Sequence, residues 1–199
     1  TVSVDMTEAI ALRQLANQRQ PSGAGKISMT ALIVKACAWA LRQQPLMNSH
    51  LIDDTIFVQP AVNIGVAVAL NEGLIVPVVP QADQLGLAAL GAAIDDVAAR
   101  ARQNKLRAAD LSGGTFTVSN LGMYGIDHFT AILNPPEVGI LAVGQTRKQF
   151  VPDENDQPTL RPMMTMTLSA DHRVIDGAVA AQFIASVQTA LSNPLAMLL

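Results

Sequence analysis

Met163-Met164-Thr165-Met166-Thr167-Leu168-Ser169-Ala170-Asp171-His172-Arg173-Val174-Ile175-Asp176-Gly177 runs from a strand into a polar turn and then into a helix. Residues 163–170 are near-continuously apolar, as in a strand buried on both faces. Gly177 to Ser192 has helical period and ends before Asn193-Pro194. Between them Ser169, Asp171, His172, Arg173 and Asp176 stand where rigid elements can fix a side chain and a loop can open it to a cleft.

Working outward, Glu137 to Gln145 is a second buried strand, and Gly113-Gly114 opens a third, Thr115 to Ser119. Asn120 to Pro136 between them is loop-like. Towards the N-terminus, Thr1 to Asp5 alternates as a strand and Thr7 is placed to cap a helix through about Arg19. Pro21-Ser22-Gly23-Ala24-Gly25 reads as a surface loop. Ser28 caps a second, largely apolar helix, Met29 to Gln44, which Pro45 ends. Thr55 to Val79 predicts three strands, two of them a hairpin turning at Asn71-Glu72-Gly73. Leu85 to Asn104 is a further amphipathic helix. Helices alternating irregularly with mixed strands predict an α+β fold, a two-layer sandwich with helices on one face of a mixed sheet.

Half of the 199 residues are hydrophobic, enough for one sizeable core, and a charged fraction of 15 % suggests a surface partly covered by other subunits. The formal charge of -3 and the lack of any Lys/Arg cluster argue against nucleic acid. No apolar run reaches the roughly 18 residues of a membrane span, so no membrane partner is expected. The single cysteine, Cys37, lies in a mostly apolar helix and reads as a buried thiol, not a nucleophile. With no disulfide to make, an intracellular compartment is expected, bacterial cytoplasm or mitochondrial matrix. The opening Thr1-Val2-Ser3 looks like a chain cut from something longer.

His172 is the candidate base, since an imidazole titrating at about 6.5 accepts protons near neutral pH. A thiol with a pKa near 8.5 is then mostly protonated, and a positioned imidazole yields the thiolate that attacks a thioester. His172 and Asp176 are four apart, but no third metal ligand is evident, so no metal is expected. Asp176 has two structural readings: pairing with Arg173 or another Arg, or capping the last helix. Ser119, closing its strand, is the candidate oxyanion donor, a role worth about 3 kcal/mol of barrier. The other reading of Ser119 is a hydroxyl bonded to its own backbone.

His172-Arg173-Val174-Ile175-Asp176-Gly177 matches the His-x-x-x-Asp-Gly signature of dihydrolipoamide acyltransferases and chloramphenicol acetyltransferase. Gly113 to Gly122, Ile132-Leu133-Asn134-Pro135-Pro136-Glu137 and Ile140 to Gly144 follow the order and spacing of the acyltransferase family. The resemblance continues through Asp5-Met6, Asn63 to Val68 and Gly73 to Val79 to the last residue, so residues 1–199 resemble one acyltransferase catalytic domain. It implies a chloramphenicol acetyltransferase-like fold, assembled as homotrimers whose active sites lie between adjacent subunits. It makes His172 the base that deprotonates coenzyme A, Ser119 the oxyanion donor, and Asp176 a structural carboxylate that holds the site through an Arg.

The same resemblance implies coenzyme A and a lipoyl group as substrates entering from opposite ends of a channel, and an acetyl-transferring member of a pyruvate dehydrogenase or acetoin complex. Lys26, Lys35, Lys105 and Lys148 lack a lipoyl-attachment context, so lipoyl domains on another chain are the expected partners. The decarboxylase and dihydrolipoamide dehydrogenase subunits would bind through domains outside residues 1–199. The uncharged tail Leu195-Ala196-Met197-Leu198-Leu199 suits joining of trimers into a cubic or dodecahedral core; a tail folded back on its own subunit is the other reading. An assembly scaffold without catalysis and an acetyltransferase for a small hydroxylated acceptor are the competing functions.

Overall fold

The computed structural model describes residues 1–21 and 25–197. In chain order its first elements are β1 (Val2–Asp5), α1 (Thr7–Arg19), α2 (Met29–Gln43), β2 (Ser49–Ile52), β3 (Thr55–Val58), β4 (Ile64–Val66) and β5 (Val68–Leu70). There follow β6 (Gly73–Ile75), β7 (Val78–Val79), α3 (Leu87–Arg102), β8 (Phe116–Asn120), β9 (Gly139–Pro152), β10 (Pro158–Ala170) and α4 (Gly177–Ser192). Six strands form the main sheet in the order β1-β10-β9-β8-β4-β7. β8 runs parallel to both β4 and β9, whereas β1, β10, β9 and the pair β4-β7 meet antiparallel.

The pairing register shows which face carries the core. Ile64 lies opposite Phe116, Val118 opposite Leu141, Val143 opposite Met166, and Met166 opposite Val2. Partners across a ladder share a face, and all of these but Val2, which packs half-buried against them, join Leu32, Leu41, Phe183 and Val187 in one buried cluster. The rings of Phe116 and Phe183 sit 5.2 Å apart, tying sheet to α4. Gly65, Thr117, Ser119, Ile140, Ala142, Thr167 and Ser169 occupy the other face, which apart from Ile140 is small or polar. The mixed sheet with its helices on one face is thus as predicted.

α2 is the buried helix, with nine residues including Cys37 out of solvent. Ser28 caps it by accepting a hydrogen bond from Ala31 N at 3.2 Å, and burial pushes the Cys37 thiol far up. α1 spans the predicted residues, but Thr7 is its first helical residue and not its cap. Asp5 does the anchoring, its Oδ1 accepting from Thr7 N at 2.9 Å and Thr7 Oγ1 at 2.6 Å. Of the predicted loop 21–25, residues 22–24 lie outside the described residues.

The strands differ from expectation in three places. The hairpin β2-β3 begins before Thr55 and turns on Asp53 and Asp54, both left-handed at φ 45° and 59°, a two-residue geometry that Asp tolerates. Five strands, not three, occupy 55–79, because the chain leaves the main sheet after Val66 and β5-β6 pairs separately before β7 returns. β9 and β10 outrun their predicted ends as a hairpin arm in which Phe150 and Leu160 pair in the open. The arm carries polar residues because no core lies beneath it, so its strand character does not register as an apolar run. For the same reason β10 is only half-buried on its second face, where both faces of 163–170 were predicted buried.

The tail divides. Pro194–Met197 forms a short 3-10 turn that buries Met197 in its own subunit and leaves Leu195 62 % exposed; residues 198 and 199 lie outside the described residues. Among the described residues no helix is long and apolar enough to cross a membrane.

Candidate active site

β10 ends at Ala170, and the next residue hangs the turn on the residue just before β9: Asp171 N donates to Val138 O at 2.9 Å. The Asp171 carbonyl accepts from Val174 N and Ile175 N, and Ile175 plugs the turn into the core at 1 % exposure. Arg173 donates to the Asp171 carboxylate from Nη2 at 2.7 Å and Nε at 3.0 Å. These bonds hold the Asp171 carboxyl below its usual range. Arg173 is thereby committed to Asp171. Asp176 caps α4 instead, Oδ1 accepting from Val179 N at 2.9 Å, and among the described residues no Arg pairs with it. His172 projects at the tip of this braced turn, exposed and without a hydrogen bond from the described residues.

Ser119 is the penultimate residue of β8 and lies on the sheet face away from the helices, 9 % exposed. Its hydroxyl makes no hydrogen bond within the described residues, so it remains free to donate. Asn120 shapes the loop after β8: its Oδ1 accepts from Gly122 N at 2.9 Å, and its Nδ2 donates to Thr30 Oγ1 at 3.1 Å. The loop then doubles back over β9, where Gln145 N donates to Ile126 O at 2.7 Å and Arg147 pairs with Asp127 at 2.7 Å. Ser119 borders a cavity of about 250 Å³ lined also by Thr30, Asp95, Arg102, Asn120 and Tyr124. His172 does not reach it.

Register explains why. Ser119 lies opposite Ala142, whereas the His172 turn hangs from Val138, and β10 is two strands from β8. At roughly 3.3 Å per residue and 4.8 Å per strand the two are about 15 Å apart, beyond the combined reach of a serine and an imidazole. One chain presents both groups, but on interior strands and displaced along the sheet from one another.

A further polar group escapes a reading of the sequence. Glu137, 5 % exposed, accepts from Thr117 Oγ1 at 2.5 Å and from Asn134 Nδ2 at 3.2 Å. Burial pushes its carboxyl up to about 7, against the opposing effect of those two donors. His50 lies across a β-bridge from it and turns Nε2 to Gly114 O at 2.7 Å. The one signal in the sequence is a carboxylate opening an otherwise apolar strand.

The fold is that of chloramphenicol acetyltransferase, which the chain overlays over 96 % of its length with a TM-score of 0.64 at 15 % identity, a likeness of fold alone. The chain belongs to the family described as 2-oxoacid dehydrogenases acyltransferase (catalytic domain), whose model matches residues 1–199. It is 45 % identical to the dihydrolipoyllysine-residue acetyltransferase component of the mitochondrial pyruvate dehydrogenase complex of Schizosaccharomyces pombe, over 100 % of this chain and 41 % of the relative. It is 36 % identical to the corresponding component of the Bacillus subtilis acetoin cleaving system, over 100 % of this chain and 50 % of the relative. The chain thus spans about half or less of these relatives' length. Among solved structures, Azotobacter vinelandii dihydrolipoamide acetyltransferase, studied for the role of a serine, a histidine and an asparagine in its mechanism, matches with a TM-score of 0.94. That match has 37 % identity and covers 100 % of this chain and 82 % of that one. The cubic core of a pyruvate dehydrogenase multienzyme complex matches equally well, at 38 % identity.

Proposed function

We propose that this domain transfers an acetyl group between a dihydrolipoyl thiol and coenzyme A, as the core of a pyruvate dehydrogenase complex, at a site shared by two adjacent copies. The observation that carries the reading is the pairing register, which keeps Ser119 and His172 apart within one chain, each incomplete for acyl transfer alone. A second copy of the same chain supplies the missing half. In the Azotobacter protein the asparagine stands four residues beyond the histidine; here Ser119, His172 and Asp176 follow in the same order.

The imidazole of His172 takes the proton of the coenzyme A thiol, and the thiolate adds to the acetyl carbonyl of the lipoyl thioester. The carbonyl oxygen becomes an oxyanion and accepts a hydrogen bond from Ser119 Oγ. Collapse expels the dihydrolipoyl sulfur, which recovers the proton from the imidazolium. Asp176 takes no proton; it caps α4 and so fixes the C-terminal end of the His172 turn.

The lipoyl group comes from a lipoyl domain, and the partners are further copies in a trimer and a larger core. The decarboxylase and dihydrolipoamide dehydrogenase subunits complete the complex. Mitochondrial and bacterial relatives support the matrix or the bacterial cytoplasm as the compartment.

The test follows thioester absorbance with acetyl-coenzyme A and dihydrolipoamide, comparing wild type with His172→Ala. A loss of about a thousandfold is expected for removal of a general base. Equal rates in the two proteins overturn the assignment.

A further inference from the structure

Among the described residues Glu137 is the only charged-type side chain that is buried. No cation among the described residues offsets that. Thr117 faces it from β8 and Asn134 from the loop before β9. Gly114 lies so close that a β-carbon there would fall 2.7 Å from Glu137 Oε1. From β2, His50 spends its Nε2 on Gly114 O; from the His172 turn, Arg173 is bound to Asp171. An ionisable group kept in such a place is a poor choice for stability alone, since an apolar side chain of similar volume would fill it without desolvating a carboxyl.

Its place in the chain suggests another use. The residue before it, Pro136, accepts from Leu51 N at 3.0 Å; the residue after it, Val138, donates to Ser49 O at 3.3 Å. The Val138 carbonyl is the one that Asp171 N grips. Glu137 therefore pins, through its side chain, the peptide from which the His172 turn is suspended.

We propose that Glu137 is a positioning residue for His172, its buried side chain locking the start of β9 to Thr117 and Asn134 so that the Val138–Asp171 hydrogen bond holds the imidazole in place. The inference rests on the reading of His172 as the base. Because no cation faces the carboxyl, its ionised form has only two neutral donors to replace water, and burial pushes it up to about 7. Proton loss near that pH strengthens the two donated bonds, but the larger cost of burying the charge drives the start of β9 open, giving the rate a descending alkaline limb that belongs to Glu137 and not to His172.

The experiment compares steady-state acetyl transfer by wild type, Glu137→Gln, Glu137→Ala and His172→Ala in the full chain between pH 6 and 9, with particle mass measured alongside. Glu137→Gln keeps the shape and is neutral at every pH, and the Thr117 hydroxyl can rotate to accept from its amide. It should match wild-type kcat at pH 6 and lack the descending limb. Glu137→Ala should lower kcat by roughly ten- to a hundredfold with little change in KM for acetyl-coenzyme A and unchanged particle mass. An assembled Glu137→Ala protein with wild-type kcat overturns the proposal, as does an alkaline limb unchanged in Glu137→Gln. If Glu137→Ala fails to assemble, the Gln profile decides. Full activity in His172→Ala would instead overturn the base assignment, which separates the two failures.

Discussion

Gly144 and Asp127 meet backbone against backbone: a β-carbon at Gly144 would lie 2.7 Å from the Asp127 carbonyl carbon. Gly122 is confined too, though less tightly, since a β-carbon there would meet Gly144 O at 2.7 Å. The loop after Ser119 is thus seated on β9 by glycines at contact distance.

Gly144→Ala should therefore push the 122–127 loop off the sheet. Overpacking of this kind costs about 1–3 kcal/mol. A melting temperature lower by roughly 2–4 °C per kcal/mol is expected in a domain of this size. The cavity beside Ser119 changes shape with the loop, so KM should rise as well; unchanged melting and kinetics would show that the loop re-seats without cost.

Asp176 separates into a cap and a charge. Asp176→Ala removes the acceptor of Val179 N and should cost about 1 kcal/mol of stability, while Asp176→Asn, an equally good cap, should restore it. If activity tracks the melting temperature across both variants, the cap is what the site needs. If Asp176→Asn melts as wild type yet loses activity, the negative charge has a further role.

Much of this site was legible in the sequence, and the illegible part has a physical cause. The turn 171–177 declares itself because polar residues interrupt an apolar strand and a helix restarts behind them. Ser28 as a cap and α4 from Gly177 to Ser192 follow from local chemistry, which tertiary contacts did not override. Asn120 and His50 were silent, and Glu137 nearly so, because their work is done between distant segments, Glu137, Asn120 and His50 finding partners 20, 90 and 64 residues away in sequence. β2 was missed because its four residues, Ser49-His50-Leu51-Ile52, bury the serine and expose the isoleucine, so no apolar alternation marks it, and the β9-β10 arm because nothing covers it.

Glu137 should also leave its mark on stability. Its folded pKa, about 7, exceeds the ordinary value of 4.5, so between these values the folded chain holds a proton that the unfolded chain has lost. Stability from this group is complete below pH 4.5 and declines as pH rises towards 7, by an amount on the order of 3 kcal/mol at most. Glu137→Gln carries no such linkage. The difference in melting temperature, variant minus wild type, should grow from about pH 5 to about pH 7.5 and then level off, as scanning calorimetry would follow; a difference independent of pH would mean that Glu137 ionises as readily in the folded chain as in water.

Complementation tests the shared site directly. Ser119→Ala and His172→Ala proteins, each inactive alone, are unfolded together in equal amounts and refolded into mixed assemblies. Random association pairs an intact His172 with an intact Ser119 on its neighbour at about one site in four, so activity should return to about a quarter of wild type. The double variant, refolded with wild type in equal amounts, should give the same quarter, because each site again needs two good neighbours. If both groups acted within one chain, the first mixture would stay inactive and the second would keep half. The two mixtures thus distinguish a site between copies from a site within one, whatever the rate of the chemical step.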